Sequence, residues 1–219
     1  MENDRIASQN IEIQENFDWP ALSKYKKENH EMSLKPNSGK RIIFMGDSIT
    51  EGWSALDPEF FKKKDHINRG ISGQTTPQML IRFRADVVDL KPNSVVILAG
   101  TNDIAENTGP SNVKMVTDNI FSMSELAITH NINVILCSIL PVYRYSWKDI
   151  SDPPSFICEV NNLIKFYCEN HGHRYVDYFS TMANEKKGLG KDLSEDGVHP
   201  NEKGYKIMSK IIQPALDHK

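Results

Sequence analysis

Three cysteines in 219 residues, none in a Cys-x-x-Cys unit, cannot build a disulfide framework. Cys137 lies in an apolar run and Cys168 in a helical pattern, so both read as small buried thiols. There is no His-x-x-x-His and no cysteine cluster, so the convergent ligands of a catalytic metal site are missing, and no metal or other cofactor is expected. Basic residues are not in excess. With 26 Lys+Arg against 29 Asp+Glu the formal charge is −3, which argues against a nucleic-acid partner of the strongly basic kind. The longest apolar runs, such as Val95-Val96-Ile97-Leu98-Ala99, fall far short of the ~20 residues that span a bilayer. The start, Met1-Glu2-Asn3-Asp4-Arg5, is polar and acidic, with no apolar stretch before Trp19. As written this predicts a cytoplasmic protein, or an exported one whose signal has already been removed. No repeat or low-complexity tract is present, and nothing in the composition bears on oligomeric state.

What is there suits one ordinary domain: 39% of the residues are hydrophobic, enough to bury a core. Residues 1–17 read as a polar N-terminal arm, and residues 18–219 as a single domain. Arg41 to Met45 is a short continuous apolar run ending at Gly46, the pattern of a strand buried on both faces. Further strands are predicted at His66–Arg69, Ser94–Ala99, Asn133–Ser138 and Arg174–Asp177. Helical stripes are predicted from Trp19 to Met32 (with Asp18 as cap and Pro20 in the first turn), from Thr75 to Leu90, and from Ser111 to His130 behind a Ser cap. Two more follow Pro153-Pro154 and run from Asn201 to Leu216. Strands alternating with helices imply βαβ units and a mostly parallel sheet covered on both sides, with right-handed crossovers. In such sheets the working site lies just beyond the carboxyl ends of the strands.

The chemistry-bearing residues stand at those positions. Gly46-Asp47-Ser48-Ile49-Thr50 follows the first strand, where a sharp strand-to-helix turn can expose a serine hydroxyl and aim helix N-terminal N–H groups at a developing oxyanion. Thr50 replaces the second glycine of G-x-S-x-G, so the α/β-hydrolase elbow is not indicated, and a strand running into a capped helix is the plain alternative. Asn68-Arg69-Gly70-Ile71-Ser72-Gly73 places two glycines ahead of a helix, where backbone can approach closely. Gly100-Thr101-Asn102-Asp103 ends the third strand, so Asn102 is either a turn residue or an amide donor to an oxyanion. Asp196-Gly197-Val198-His199-Pro200 sets a carboxylate three residues before a histidine, a spacing that lets the carboxylate hold the Nδ1–H and leaves Nε2 free as a base. Pro200 is expected in the first turn of the last helix. The other histidines have no comparable partner, and His66, His130, His171 and His173 read as surface or loop residues.

The four blocks in the order Ser, Gly, Asn, His resemble those of the SGNH hydrolases, the GDSL-type esterase and lipase family, with Ile49 where the family name has Leu. Ser48, Gly73, Asn102 and His199 match the four naming residues, and Asp196 matches the Asp of Asp-x-x-His. The likeness spans about residues 41–205. It implies a flavodoxin-like three-layer α/β/α fold with five parallel strands in the order 2-1-3-4-5, and a serine esterase without metal or organic cofactor. It further implies a catalytic triad of Ser48, His199 and Asp196, with an oxyanion hole formed by the backbone N–H groups of Ser48 and Gly73 and the Asn102 side chain. The stretch 46–53 and the segment Trp19…Tyr25…Asn29 look similar to acetylhydrolases of this family. The expected substrate is therefore a short-chain ester, most simply an O-acetyl group on a carbohydrate or other small molecule. The alternative is a lysophospholipase or thioesterase with an apolar acyl groove beside Ser48, to which Trp53, Leu56, Phe60 and Phe61 would contribute unless they pack the core. A non-enzymatic binding module would lack a catalytic residue, and none is missing. Tyr143, Tyr145 and Trp147 in the loop 141–154 either stack on sugar rings or cover the sheet edge.

Overall fold

The computed structural model describes residues 18–37, 39–63 and 65–217. The N-terminal arm read at residues 1–17 lies outside them, as does His218. Five parallel strands form one sheet: β1 (Ile42–Gly46), β2 (His66–Gly70), β3 (Ser94–Leu98), β4 (Asn133–Cys137) and β5 (Arg174–Val176), in the order β2-β1-β3-β4-β5. The helices are α1 (Lys26–Ser33), α2 (Ser48–Leu56), α3 (Pro58–Phe61), α4 (Thr76–Asp86), α5 (Thr101–Ile104), α6 (Val113–Thr129), α7 (Pro153–His171), α8 (Tyr178–Met182) and α9 (Glu202–Asp217).

The period-two alternation of strand side chains divides the core into two halves. Ile43, Met45, Val95, Ile97, Val134 and Leu136 face one side, where they pack with residues of α4, α6 and α7 such as Phe83, Ile120 and Val160. Phe44, Val96, Leu98, Ile135 and Cys137 face the other, against α2, α3, α8 and α9 through Trp53, Phe60, Tyr178 and Met208. This is the expected three-layer α/β/α sandwich. Cys137 and Cys168 are buried free thiols, and no helix among the described residues is long and apolar enough to cross a membrane.

Several boundaries differ from the sequence reading for identifiable reasons. Residues 19–25 form turns rather than a helix, with Ala21 left-handed at φ 55° and the Asp18 carboxylate accepting from Leu22 N and Ser23 N. The carbonyls of Trp19 and Pro20 are turned outward to accept from Gln78 and Gln74 instead of a following helical turn. Helix α4 stops at Asp86 because Asn29 donates to the Ala85 carbonyl, which a longer helix would offer to Asp89; a short 3₁₀ turn over Val88–Leu90 follows. The cap of α6 is Asn112, whose Oδ1 accepts from Met115 N at 3.0 Å, while the Ser111 hydroxyl donates to Asp103 O. Pro200 precedes α9 and bridges to Ser194, leaving the Asn201 side chain to accept from Gly204 N.

The end of β2 is where the tightest approach occurs. A Cβ on Gly70 would sit 2.1 Å from the backbone nitrogen of Glu51 in α2. Both partners are backbone, so relief requires moving a strand or a helix. Gly70→Ala is therefore expected to cost about 3 kcal/mol, at the upper end of overpacking penalties. At about 2–4 °C per kcal/mol for a chain of this size, thermal unfolding should begin roughly 6–12 °C lower. A melting temperature within about 2 °C of wild type would show that the contact relaxes freely.

Candidate active site

Strand β1 delivers Asp47 and Ser48 to the start of α2, where the buried Asp47 carboxylate caps the helix by accepting from Ile49 N at 2.9 Å. Ser48 thus occupies the first turn, with its own N–H free of helical bonding by position. Its Oγ lies 3.0 Å from His199 Nε2, and His199 Nδ1 lies 2.6 Å from Asp196 Oδ2. The Nδ1 contact to a carboxylate selects the tautomer with the proton on Nδ1, so Nε2 faces the hydroxyl as an acceptor.

The loop before α9 shapes itself around Asp196. Its Oδ1 accepts from Val198 N and His199 N at 2.9 and 2.8 Å and from the Ser194 hydroxyl, while Gly197 N donates to Ser194 Oγ. Partial burial pushes the Asp196 carboxyl up, but the His199 and backbone hydrogen bonds together outweigh it and bring its pKa down to about 2. Asp196 is thereby an anion throughout the working range of an imidazole base. Two other carboxylates behave oppositely: burial pushes Asp47 up to about 7 and Asp103 up to about 6.

The remaining sequence-predicted residues converge on the same edge. Gly73 is left-handed at φ +76°, with nothing within 4 Å of a would-be Cβ, so its glycine requirement is conformational. Asn102, read as either a turn residue or an amide donor, sits buried in the short helix α5 behind left-handed Gly100, and its Nδ2 donates to Gln74 O at 3.0 Å. An amide nitrogen carries two N–H groups, so one stays available. Glu51 holds the neighbouring loop by accepting from Ser72 N and Ser72 Oγ.

Sequence reasoning missed Asn107, whose Nδ2 donates to Asn102 Oδ1 at 2.9 Å and to Gly73 O at 3.2 Å, and it missed Arg82 and Gln74 behind them. These residues follow no motif, and some of their partners, such as Gly73 for Asn107 and Gly46 for Arg82, come from distant segments. Of the aromatic candidates, Trp53 (1% exposed) and Phe60 (6%) belong to the core, and Phe61 packs against it. Leu56 instead lines a cleft of about 1040 Å³ with His199, Asp196 and Ile207. Trp147 is 47% exposed, with its ring centroid 6.4 Å from that of His199 at an interplanar angle of 28°. Tyr145 is buried, its hydroxyl paired with Thr101 at 2.9 Å. His66 is not a surface residue: it starts β2 half-buried against Phe60, and burial lowers its pKa to about 4. His130 is exposed at the end of α6, His171 ends α7, and His173 precedes β5 with its Nε2 buried. Among the described residues no group of three or more His, Cys, Asp or Glu could hold a metal ion.

The chain is similar to several known proteins. A GDSL-like lipase from Bacteroides thetaiotaomicron has 44% identical sequence and superposes with a TM-score of 0.87, over 90% of this chain and 98% of that one. An acetylxylan esterase of Xylanibacter ruminicola is 26% identical over 80% of this chain, which spans only 43% of that protein's length. An acetylxylan esterase of Geobacillus stearothermophilus is 23% identical over 82% of this chain and 94% of its own. Residues 44–207 match the GDSL-like Lipase/Acylhydrolase family, and by that match, with the sheet order and motif positions above, the chain belongs to this family of ester hydrolases.

Proposed function

We propose that this protein is a serine esterase in which Ser48, His199 and Asp196 form the catalytic triad. The observation that carries the reading is the unbroken chain from Ser48 Oγ to His199 Nε2 (3.0 Å) and from His199 Nδ1 to Asp196 (2.6 Å). Ser48 Oγ bonds to the ester carbonyl carbon as its proton passes to His199 Nε2. The resulting oxyanion accepts from Ser48 N, Gly73 N and the second N–H of Asn102. Collapse breaks the bond to the alcohol, which leaves with the proton from His199. Water then enters by the same route, releasing the acid and restoring the Ser48 hydroxyl. Asp196 stays ionised and stabilises the imidazolium without taking its proton.

The substrate reading is a short acyl group, above all acetyl, on a carbohydrate. Two acetylxylan esterases among the relatives support it. So does Trp147, an exposed ring whose centroid lies 6.4 Å from that of His199 at an interplanar angle of 28°. A flat indole offers a large apolar face to the C–H face of a sugar ring. The longer-acyl alternative draws less support, because Trp53 and Phe60, two of the groove residues it called on, are committed to the core. A panel of 4-nitrophenyl esters from acetyl to palmitoyl, together with acetylated xylo-oligosaccharides, tests the choice. Highest kcat/KM on acetyl esters is expected, and a preference for palmitoyl would overturn the short-acyl reading.

Three variants check the parts. Ser48→Ala should lower kcat on 4-nitrophenyl acetate by about 10⁶ with unchanged thermal unfolding; more than a few per cent residual activity would refute the serine mechanism. Trp147→Ala should raise KM for an acetylated oligosaccharide while leaving 4-nitrophenyl acetate nearly unaffected, whereas equal effects on both would remove the sugar platform. For Asp196 the sign of the pH dependence is fixed by its lowered pKa. The ionised form stabilises the fold above the ordinary carboxylate range near 4, and that contribution is lost as pH falls toward about 2. The melting-temperature gap between wild type and Asp196→Asn should thus be widest near neutrality and narrow below pH ~4; a gap that is constant with pH would show that Asp196 is not the group responsible.

A further inference from the structure

The two donors that do not come from Ser48 are mounted on different loops, one after β2 and one after β3, yet both must aim at a single oxygen. Gly73 contributes a backbone N–H, and its peptide can rotate because glycine permits it. Asn102 contributes a side-chain amide that would be useless if turned end for end, since its carbonyl would then face the oxyanion. Something has to fix both, and the hydrogen bonds identify it.

The chain of assignments is closed at each end by a backbone carbonyl, which can only accept. Gln74 O therefore faces the nitrogen of the Asn102 amide, at 3.0 Å. Asn102 Oδ1 is left pointing the other way, where it meets Asn107 Nδ2 at 2.9 Å. The same Asn107 nitrogen lies 3.2 Å from Gly73 O, again an obligatory acceptor, so it must be the NH₂ end of Asn107 that faces both groups. One exposed amide thus spends its two N–H groups on the two loops of the oxyanion hole. It is itself held: Asn107 N donates to Asn102 O, Thr108 Oγ1 pairs with Thr75 Oγ1, and Glu106 pairs with Lys148.

We propose that Asn107 is a positioning residue that locks the Asn102 amide in its donating orientation and ties to it the Gly73 carbonyl, one peptide beyond the Gly73 N–H. This rests on the reading of Asn102 and Gly73 as oxyanion donors. Asn107 touches no reacting atom; it acts through the two groups that do. An aspartate at the same position would face two acceptor oxygens with a carboxylate. Asn102 could satisfy it only by turning its amide over, which would bring its own Oδ1 against Gln74 O and toward the developing charge.

The test is a double-mutant cycle on the full chain, with 4-nitrophenyl acetate as substrate and thermal unfolding measured on each preparation. Asn102→Ala alone should lower kcat by roughly 10²–10³ with KM little changed. Asn107→Asp should lower kcat by about 10² with KM and melting temperature near wild type, and Asn107→Ala should lose less, since no repelling charge is introduced. In the Asn102→Ala background the Asn107→Asp effect should shrink at least about tenfold, because the group it acts on is gone. An undiminished effect in that background would mean that the new charge acts directly on the oxyanion, and the proposal would fall. It would fall equally if Asn107→Asp kept wild-type kcat while Asn102→Ala did not. If Asn102→Ala itself costs nothing, it is the underlying oxyanion reading that fails, a different result from either of these.

Discussion

A guanidinium stripped of water must find protein acceptors for its N–H groups, because the solvation it gave up returns in no other form. Arg82 is 0% exposed, and its three nitrogens reach into three parts of the molecule. Nε donates to Gln74 Oε1 at 2.5 Å, Nη1 to Asp86 Oδ2 at 2.8 Å, and Nη2 to Gly46 O at 2.9 Å. Gly46 ends β1 two residues before Ser48, and Gln74 follows Gly73 and supplies the carbonyl that orients Asn102. A single side chain from α4 therefore ties the strand that delivers Ser48 to the loop that carries Gly73 and Gln74. A buried pair such as Arg82–Asp86 adds little net stability, while removing one partner typically costs about 3–5 kcal/mol. Its contribution is to admit one arrangement of three segments and penalise the others.

The segment ahead of β1 is drawn into the same network. Tyr25 lies under the buried Arg69 at 4.5 Å and donates its hydroxyl to Gly70 O. Asn29 accepts from Arg69 Nε and Nη2 while donating to Asp86, so the two buried arginines are joined through it. Further on, Lys24 pairs with Glu51, which in turn holds Ser72. The turns of residues 19–25 use their outward carbonyls on Gln74 and Gln78. The poor helical stripe of this segment has a physical meaning: its polar groups are spent on the loops it crosses, not on its own helix.

The sheet was legible from sequence because strands buried on both faces leave short unbroken apolar runs, and the site was legible where a residue type is unusual just after such a run. Ser48 and Asn102 have that property, whereas His199 was legible from its Asp-x-x-His spacing to Asp196. Asn107, Gln74 and Arg82 have neither feature: each is a polar residue in a helix or loop, and contacts such as Asn107 to Gly73 and Arg82 to Gly46 are set by how β1, β2 and β3 end side by side. Of the two readings open for the aromatic residues after Ser48, core packing holds for Trp53 and Phe60. Trp53 follows Ser48 by five positions, about 140° around the helix, so exposing one buries the other. Leu56 lies farther along and reaches the cleft beside His199 instead.

Electrostatics complete the logic of the site. In the proposed mechanism fixed negative charge must be kept from the developing oxyanion, yet Asp47 and Asp103 stand beside Ser48 and Asn102 in sequence, and Asp196 stands three residues before His199. Their environments separate them. Asp196 sits in a partly exposed loop, hydrogen-bonded by two backbone N–H groups and by His199, and is held as an anion on the far side of the imidazole. Asp47 and Asp103 are buried, each beside a helix N-terminus, capping α2 through Ile49 N and α4 through Thr76 N and Oγ1. Burial pushes Asp47 up to about 7 and Asp103 up to about 6, so near neutral pH Asp47 carries a reduced negative charge while Asp103 stays mostly ionised, and the hydrogen bonds both accept fix the helix starts that carry Ser48 and follow Gly73. The same residue type is thus ionised at Asp196, where hydrogen bonds outweigh partial burial, and pushed toward the neutral form at Asp47 and Asp103, where burial outweighs them.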